Sequence, residues 1–264
     1  MLDIEGSVAV ITGGGSGIGE AVAKYWVQNG GRVVLGDILE ESLERVAKEI
    51  KDMGGEVATI VCDVAKEDDN TALAKLAIDT FGALNLVLPC AGIIRDGMFL
   101  SPDRKTGKVT RKMSLEQFQS LIDLNLTGVF LTVRECGEQM INHGCKGLVC
   151  LMSSTGSLGT AGQMNYSSTK AAMSVLPKVV TAEFFRRNLA HQIRCVAVAP
   201  GYVGTPMVKG MNQKALDTIL GNVPIKRLVE PEEVASLIGE LFRNEAIGGE
   251  VFFIHGGLRL GSKG

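Results

Sequence analysis

The sequence predicts an α/β protein in which a doubly wound sheet of about seven parallel strands is covered by helices on both faces. Short apolar runs alternate with longer amphipathic stretches along the whole 264-residue chain, as expected when each strand is followed by a crossover helix. The runs are rich in β-branched residues and lack two-residue alternation, which is typical of strands buried on both faces of a parallel sheet.

Seven such runs are spread over the chain. They begin at Ser7, Arg32, Glu56, Leu84, Gly147, Ile193 and Glu250. No linker rich in Ser, Gly or Pro divides them, and no internal repeat occurs. We therefore interpret residues 1–264 as one domain.

One long helix is predicted between the fourth and fifth runs, over Ser114–Ile141. Ser114 and Gln117 have the spacing of a capping box at its start, and Gly144 lies just past its end, where a left-handed cap is expected. Pro231 predicts the first turn of a later helix, because proline lacks a backbone N–H and an N–H at that position would have no partner within the helix.

Two segments follow predicted strands at their carboxyl ends, where ligands bind in open α/β sheets. Residues 101–112 are polar and basic, with a turn expected at Thr106–Gly107, and could attract an anionic ligand. Residues 205–224 contain Met and Leu and suit a mobile lid over an apolar substrate. Ordinary surface elaboration is the alternative interpretation for both segments.

Composition excludes several classes of function. The 27 basic and 29 acidic residues give a net charge of −2, so a broad nucleic-acid surface is not expected. No apolar run approaches the about 20 residues of a membrane span, and the N-terminus lacks the pattern of a signal peptide. The six cysteines are scattered without CxxC spacing, which predicts free thiols in a reducing cytoplasm and no metal site.

A glycine-rich loop joins the first predicted strand to a helix. Within this loop, Gly13, Gly17 and Gly19 let the backbone turn tightly and approach a pyrophosphate, whose charge the free N–H groups of the helix start can bind. Ser16 and Ile18 belong to the same loop and are predicted to contact the cofactor with it. The strand before the loop and the helix after it make a dinucleotide site the favoured interpretation.

Acidic residues follow the next two strands. The carboxylate of Asp37 can accept hydrogen bonds from both hydroxyls of an adenosine ribose, and it repels a 2′-phosphate. Its neighbours Ser16 and Ile38 are uncharged, so the sequence predicts NAD rather than NADP, with Ile38 beside the nucleotide. Asp63 and Val64 end the third strand and are expected to border the adenine.

Tyr166 and Lys170 stand four residues apart at the start of a helical stretch, so their side chains share one helix face. A phenol titrates near pH 10, and its use as a base near neutrality needs a drop of about 3 pH units, or about 4 kcal/mol. One ammonium about 4 Å away in a partly shielded site supplies that much. The pair therefore predicts a proton-transferring tyrosine.

These motifs occur together and in order, and in this the chain closely resembles the short-chain dehydrogenase/reductase family in its single-domain branch. The resemblance covers essentially the whole chain and implies a Rossmann-type fold. It rests on the TGGGSGIG loop and on Asp37, Asp63, Asn125, Ser153, Tyr166, Lys170, Pro200 and Gly201.

The resemblance implies a role for each matched residue. Tyr166 is expected to be the catalytic acid/base, with Lys170 lowering its pKa and binding the nicotinamide ribose. Ser153, thirteen residues before Tyr166, is expected to hold the substrate oxygen, and the adjacent Ser154 competes for that role. Asn125 is expected to position a proton-relay water.

Two further segments match parts of the family that contact the cofactor. Ala91 and Gly92 lie along it, and a later segment reaches the nicotinamide with Pro200, Gly201, Val203 and Thr205. The chain departs from the family pattern at Pro89–Cys90, where two asparagines usually brace the neighbouring loops. This departure puts the rigidity of the loop in question.

Together these observations predict an NAD-dependent enzyme that interconverts a secondary alcohol and a ketone without a metal. The substrate is expected to be a 3-hydroxyacyl or 3-oxoacyl thioester or an apolar alicyclic or aromatic alcohol. The alternatives are an NADPH-dependent 3-oxoacyl-carrier-protein reductase and, in another class, a non-catalytic NAD-binding scaffold. By resemblance, we also expect a homotetramer packed through the helix from Ser114 and the helix after Tyr166.

Overall fold

A computed structural model describes residues 1–258, apart from the side chains of Met207 and Ala215. The interpretation of residues 1–264 as one domain stays a prediction, and its last part, residues 259–264, lies outside the described residues.

The first half of the chain alternates strands and helices before a short hairpin. In order, the elements are β1 (Val8–Thr12), α1 (Gly17–Gln28), β2 (Arg32–Asp37), α2 (Glu40–Asp52), β3 (Val57–Val61), α3 (Glu67–Phe81), β4 (Leu86–Pro89), β5 (Leu100–Pro102) and β6 (Val109–Lys112).

The second half contains the longest helix, Met164–Arg186. Its elements are α4 (Leu115–Ile122), a π-helical segment (Asp123–Thr127), α5 (Gly128–Asn142), β7 (Gly147–Met152), a 3₁₀ turn (Thr155–Leu158), α6 (Met164–Arg186), β8 (Ile193–Pro200), α7 (Pro206–Lys209), α8 (Gln213–Asn222), α9 (Pro231–Arg243) and β9 (Val251–Ile254).

Seven of the strands form one sheet in the order β3-β2-β1-β4-β7-β8-β9. Every neighbouring pair in this sheet is parallel, which confirms the predicted doubly wound fold. The chain leaves β1 toward β2 and β3 and later returns to add β4 on the other side of β1. The switch between β1 and β4 opens a crevice at the carboxyl ends of these strands, where such folds bind ligands.

Two apolar clusters cover the two faces of the sheet. On one face, Trp26 of α1 meets Phe242 of α9 edge to face, with ring centroids 4.7 Å apart. The other face packs residues of α3 and α5, including Leu73 and Met140. Burial on both faces accounts for the continuously apolar strands and holds the ends of β1, β4, β7 and β8 in fixed relation.

The predicted long helix over Ser114–Ile141 is wrong in one respect, because the π-helical segment interrupts it. Its capping box is also only half formed. Ser114 Oγ accepts the N–H of Gln117 at 3.0 Å, but the Gln117 side chain donates to the Arg95 and Asp96 carbonyls instead of returning to Ser114. Gly144 takes the expected left-handed conformation, with φ of 64°.

The two predicted insertions take different forms. Residues of the basic segment form the antiparallel hairpin β5–β6, with Gly107 in the turn at φ of 67°. All four residues of β6 are exposed, so the hairpin projects from the body of the protein. The second segment, residues 205–224, contains the helices α7 and α8. That it moves as a lid stays a prediction.

Among the described residues, no helix combines the length and apolar character needed to span a membrane. Within the same part of the chain, no cluster of three or more His, Cys, Asp or Glu side chains could hold a metal ion.

Candidate active site

Two adjoining clefts open at the carboxyl ends of the strands. The glycine-loop cleft, about 350 Å³, is lined by the loop after β1, by the ends of β2 and β3, and by Ala91 and Gly92 after β4. The tyrosine cleft, about 270 Å³, is lined by Tyr166 and Lys170 of α6 and by the segments after β7 and β8. Both clefts share Ile18, Cys90, Gly92, Ile93 and Thr205.

The glycine loop approaches the segment after β4 closely. Gly13 has φ of 66°, and a Cβ at this position would lie 2.8 Å from the Ala91 nitrogen, so only glycine fits. Gly19 does not line the clefts; a Cβ there would lie 2.2 Å from the Gly13 carbonyl oxygen. Its absent side chain lets α1 pack against the loop, and its contact with the cofactor stays a prediction.

The start of α1 faces the glycine-loop cleft. Ser16 is the N-cap residue of α1, is exposed, and makes no side-chain cap hydrogen bond. Its hydroxyl and the N–H groups of Gly17 and Ile18 are therefore available to an anion.

Asp37 lies at the end of β2 with its carboxylate held by two backbone N–H groups. Oδ2 accepts from Gly15 at 3.0 Å, and Oδ1 accepts from Leu39 at 3.1 Å. Ile38, Asp63 and Val64 line the same cleft, and their contact with a nucleotide stays a prediction.

Burial raises the pKa of Tyr166, and hydrogen bonding by the Ser154 hydroxyl opposes this rise, while the charge of Asp96 adds to it. Lys170 Nζ donates to the Met152 carbonyl at 2.8 Å and lies 5.6 Å from the centroid of the Tyr166 ring. Burial lowers the pKa of Lys170 to about 8. Burial is thus the largest influence on the pKa of Tyr166 in this structure, and the expectation that Lys170 depresses this pKa stays a prediction.

Both Ser153 and Ser154 line the tyrosine cleft, but their hydroxyls make different contacts. The Ser153 side chain is buried, and its Oγ donates to the Lys170 carbonyl at 2.9 Å and contacts Ser174 Oγ at 2.8 Å. Ser154 Oγ instead accepts the Gly156 N–H at 3.0 Å, and its hydroxyl acts to lower the pKa of Tyr166. Adjacent residues in extended backbone point to opposite sides, so Ser154 faces Tyr166 and Ser153 faces the body of α6.

The comparisons with known proteins agree with this geometry. A family model described as short chain dehydrogenase matches residues 7–216. The 3-oxoacyl-[acyl-carrier-protein] reductase FabG of Thermotoga maritima is 34% identical over 257 residues, which are 97% of this chain and 98% of that protein. The chain belongs to the short-chain dehydrogenase family. It is therefore an oxidoreductase of a family that binds a nicotinamide cofactor.

Two further relatives extend the comparison. The cis-4-hydroxycyclohexanecarboxylate dehydrogenase of Sinomonas cyclohexanicum is 33% identical over 256 residues, covering 95% of each chain. A mutant short-chain dehydrogenase/reductase of Serratia marcescens has the same fold, with a TM-score of 0.84 at 24% identity over 97% of this chain and 99% of that one.

The residues of this dehydrogenase fit a nicotinamide dinucleotide. The uncapped start of α1 suits the pyrophosphate, and the anchored Asp37 suits the adenosine ribose. The expected nicotinamide contacts Pro200, Gly201, Val203 and Thr205 line the tyrosine cleft.

Asn125 lies in the π-helical segment and is fully buried. Its side chain accepts the N–H of Ile93 and donates to the Ile93 carbonyl, both at 2.9 Å. The side chain therefore braces the loop after β4. π-Helical segments occur often at functional sites, and here the segment allows the dehydrogenase to insert Asn125 between α4 and that loop.

The loop that begins at the departure Pro89–Cys90 is bonded to Thr12 of β1. The Thr12 carbonyl accepts the Cys90 N–H at 3.2 Å, and Thr12 Oγ1 accepts the Ala91 N–H at 3.3 Å. Thr12 therefore braces the loop from β1. Cys90 itself lines both clefts, and burial raises the pKa of its thiol to about 11.

The sequence did not identify the polar residues at the mouth of the tyrosine cleft. Gln163 lines this cleft and donates to Asp96 Oδ2 at 2.8 Å. The backbone joins the same two segments, since the Gly97 N–H donates to the Gly162 carbonyl at 2.8 Å. The root of the basic hairpin is therefore attached directly to the segment that carries Tyr166.

Proposed function

We propose that this dehydrogenase is NAD-dependent and interconverts a secondary alcohol and a ketone, with Tyr166 as the acid/base. One observation carries the proposal: Tyr166, Lys170 and Ser154 line a single cleft that adjoins the glycine-loop cleft. When bound, the nicotinamide supplies the hydride acceptor for oxidation and the hydride donor for reduction.

The substrate oxygen is proposed to lie between Tyr166 and Ser154. Because the Gly156 N–H already donates to Ser154 Oγ, the hydroxyl hydrogen of Ser154 can point to the substrate oxygen and stabilise the charge that develops there. Tyr166 gives its proton to this oxygen during reduction and takes the proton from the alcohol during oxidation.

Lys170 is proposed to favour the phenolate and to bind the nicotinamide ribose. Its ammonium lies over the face of the Tyr166 ring, and a nearby cation favours the charged form of a phenol. With its pKa lowered to about 8 by burial, Lys170 remains mostly protonated at neutral pH, as this role requires.

The preference for NAD is proposed from Asp37. Its carboxylate is anchored at the cleft by Gly15 and Leu39, and it would repel a 2′-phosphate. This separates the proposal from an NADPH-dependent 3-oxoacyl-carrier-protein reductase. Initial-rate measurements with NAD and NADP test it, and we expect a lower Michaelis constant for NAD. A clear preference for NADP would contradict the proposal.

Two substrate classes are proposed, each with an observation in its favour. The cations of the hairpin β5–β6 are exposed and would attract the phosphates of an acyl thioester. The similarity to cis-4-hydroxycyclohexanecarboxylate dehydrogenase favours an alicyclic alcohol instead. A panel of 3-hydroxyacyl-CoA esters and alicyclic alcohols, assayed with NAD by the absorbance of NADH, distinguishes them.

A charge-neutralised hairpin provides the matched control for this panel. Four of its cations are replaced together, as Lys105→Gln, Lys108→Gln, Arg111→Gln and Lys112→Gln. A higher Michaelis constant for CoA esters, with that for free alcohols unchanged, supports the thioester. If the Michaelis constant for CoA esters is the same in the wild-type and the charge-neutralised protein, the alicyclic alcohol is favoured.

We also propose self-association through α5 and α6. An apolar groove of about 530 Å³ runs between these helices, and Phe130 and Val179 in it are 54% and 42% exposed. Light scattering after gel filtration tests for the tetramer that is common in the family. A monomer at micromolar concentration would exclude this arrangement.

A further inference from the structure

The peptide group of Gly15 is held from both sides. Its N–H donates to Asp37 Oδ2 at 3.0 Å, and its carbonyl accepts from Arg45 Nη2 at 2.9 Å. The fit is also tight, because a Cβ on Gly15 would lie 2.9 Å from the same Asp37 oxygen and 2.8 Å from Ser42 Cβ. The orientation of this one peptide therefore depends on Asp37, Arg45 and the start of α2.

The side chain of Arg45, which extends from α2, is held by ion pairs to carboxylates of two helices. Its guanidinium bonds Glu20 of α1 at 2.6 Å and Glu49 of α2 at 2.9 Å. Lys24 contacts the same two carboxylates, each at 2.6 Å. Among the described hydrogen bonds, however, the ammonium of Lys24 makes none to the glycine loop. Two cations thus share one ion-pair network, and the contact with Gly15 belongs to Arg45.

We propose that Arg45 is a positioning residue for the adenosine half of the cofactor. By holding the Gly15 carbonyl, Arg45 aims the Gly15 N–H at Asp37 and so fixes the carboxylate that receives the ribose hydroxyls. A carboxylate that is fixed before binding loses less rotational freedom on binding. This inference rests on the proposed function, since it takes NAD as the ligand.

The same network keeps the charge of Arg45 from a 2′-phosphate. The guanidinium is planar and presents its donors in a fixed fork, and here that fork is bonded to two carboxylates and one carbonyl. Arg45 therefore stabilises the acceptor of the ribose hydroxyls and does not offer a competing site for NADP.

Binding of NADH and of ADP-ribose to the purified full-length protein, measured by titration calorimetry, tests the inference without turnover. Arg45→Gln should weaken both ligands about tenfold, because the Asp37 carboxylate loses its fixed orientation. Arg45→Lys should weaken them similarly, since an ammonium keeps the charge but not the fork. Lys24→Gln is the matched control, because it removes a cation from the same network, and it should change both affinities less than twofold.

A double-mutant cycle with Asp37→Ala separates positioning from general stability. If Arg45 acts through Asp37, then Arg45→Gln should hardly change the affinity for either ligand in the Asp37→Ala background. Equal losses in both backgrounds would overturn the inference, and so would an equal loss from Lys24→Gln. Failure of the proposed function looks different, since the wild-type protein would then fail to bind NADH or would prefer NADPH. Thermal unfolding of each variant confirms that it is folded.

Discussion

The glycine-loop cleft and the tyrosine cleft adjoin but are built in different ways. The first is formed mostly by backbone: the glycine loop, the uncapped start of α1 and the loop after β4, whose N–H groups bond Thr12. The second is formed by side chains, since Tyr166, Lys170 and Ser154 supply its chemistry. A site made of backbone is determined once the strand order is determined, whereas a site made of side chains depends on how each one is turned.

This difference appears in the hydrogen bonds. Asp37 makes bonds to the backbone N–H groups of Gly15 and Leu39 that leave it little freedom. Lys170, in contrast, donates to the Met152 carbonyl and not to the phenol of Tyr166. The carboxylate of Asp37 is therefore already oriented for its proposed ligand, whereas the ammonium of Lys170 has two further N–H donors whose direction this bond does not fix.

Replacing the phenol should produce the largest effect and separate the two clefts. Tyr166→Phe removes the group that exchanges the proton, so kcat should fall by about a thousandfold or more. NADH binding should stay within a few-fold, because the adenosine half of the cofactor depends on the other cleft. Steady-state assays measure kcat, and titration with NADH measures the affinity for the cofactor. Near-normal turnover would favour a different acid/base, and lost NADH binding would show that the clefts are not independent.

The two serines test whether side-chain direction determines function in the tyrosine cleft. Ser154→Ala should lower kcat about a hundredfold, since it removes a donor aimed at the substrate oxygen. Ser153→Ala should leave kcat within a few-fold but lower the melting temperature, because the buried Oγ bonds the Lys170 carbonyl and Ser174. The two variants are matched in size and in chemistry. The reverse order of effects on kcat would support Ser153, the serine chosen from the spacing to Tyr166.

The serines also show what the sequence could and could not provide. The parallel sheet and the glycine loop follow from local patterns, and the strand starts were predicted to within two residues. The spacing from Ser153 to Tyr166 carries no information about which hydroxyl points to the cleft, since that depends on the extended backbone after β7. The π-helical segment was missed for a similar reason: its helical pattern is continuous, and the insertion of Asn125 toward Ile93 is a tertiary contact.

Asp37 is the principal charged side chain at the predicted ribose position in the glycine-loop cleft, and changing it should have an intermediate effect. Asp37→Ser removes a charged acceptor of ribose hydroxyls, so kcat/KM for NAD should fall about tenfold or more. The value for NADP should rise, because the repulsion of its 2′-phosphate is relieved. Initial rates with both cofactors give the ratio of kcat/KM for NAD to kcat/KM for NADP. An unchanged ratio would mean that the backbone of this cleft, rather than its carboxylate, selects the cofactor.

The smallest expected effect concerns the field of Asp96 on the phenol. The charge of Asp96 contributes to the raised pKa of Tyr166, so Asp96→Asn should lower that pKa and shift the rise of alcohol oxidation with pH toward lower pH. Because Asp96 is exposed, the shift should be a few tenths of a pH unit and should shrink at high salt. The pH dependence of kcat measures it, with Asp103→Asn in the hairpin turn as the control. A shift toward higher pH would mean that Asp96 acts on Tyr166 mainly by positioning Gln163, to which it is hydrogen-bonded, and not through its charge. The tyrosine cleft would then depend on side-chain direction even at its mouth.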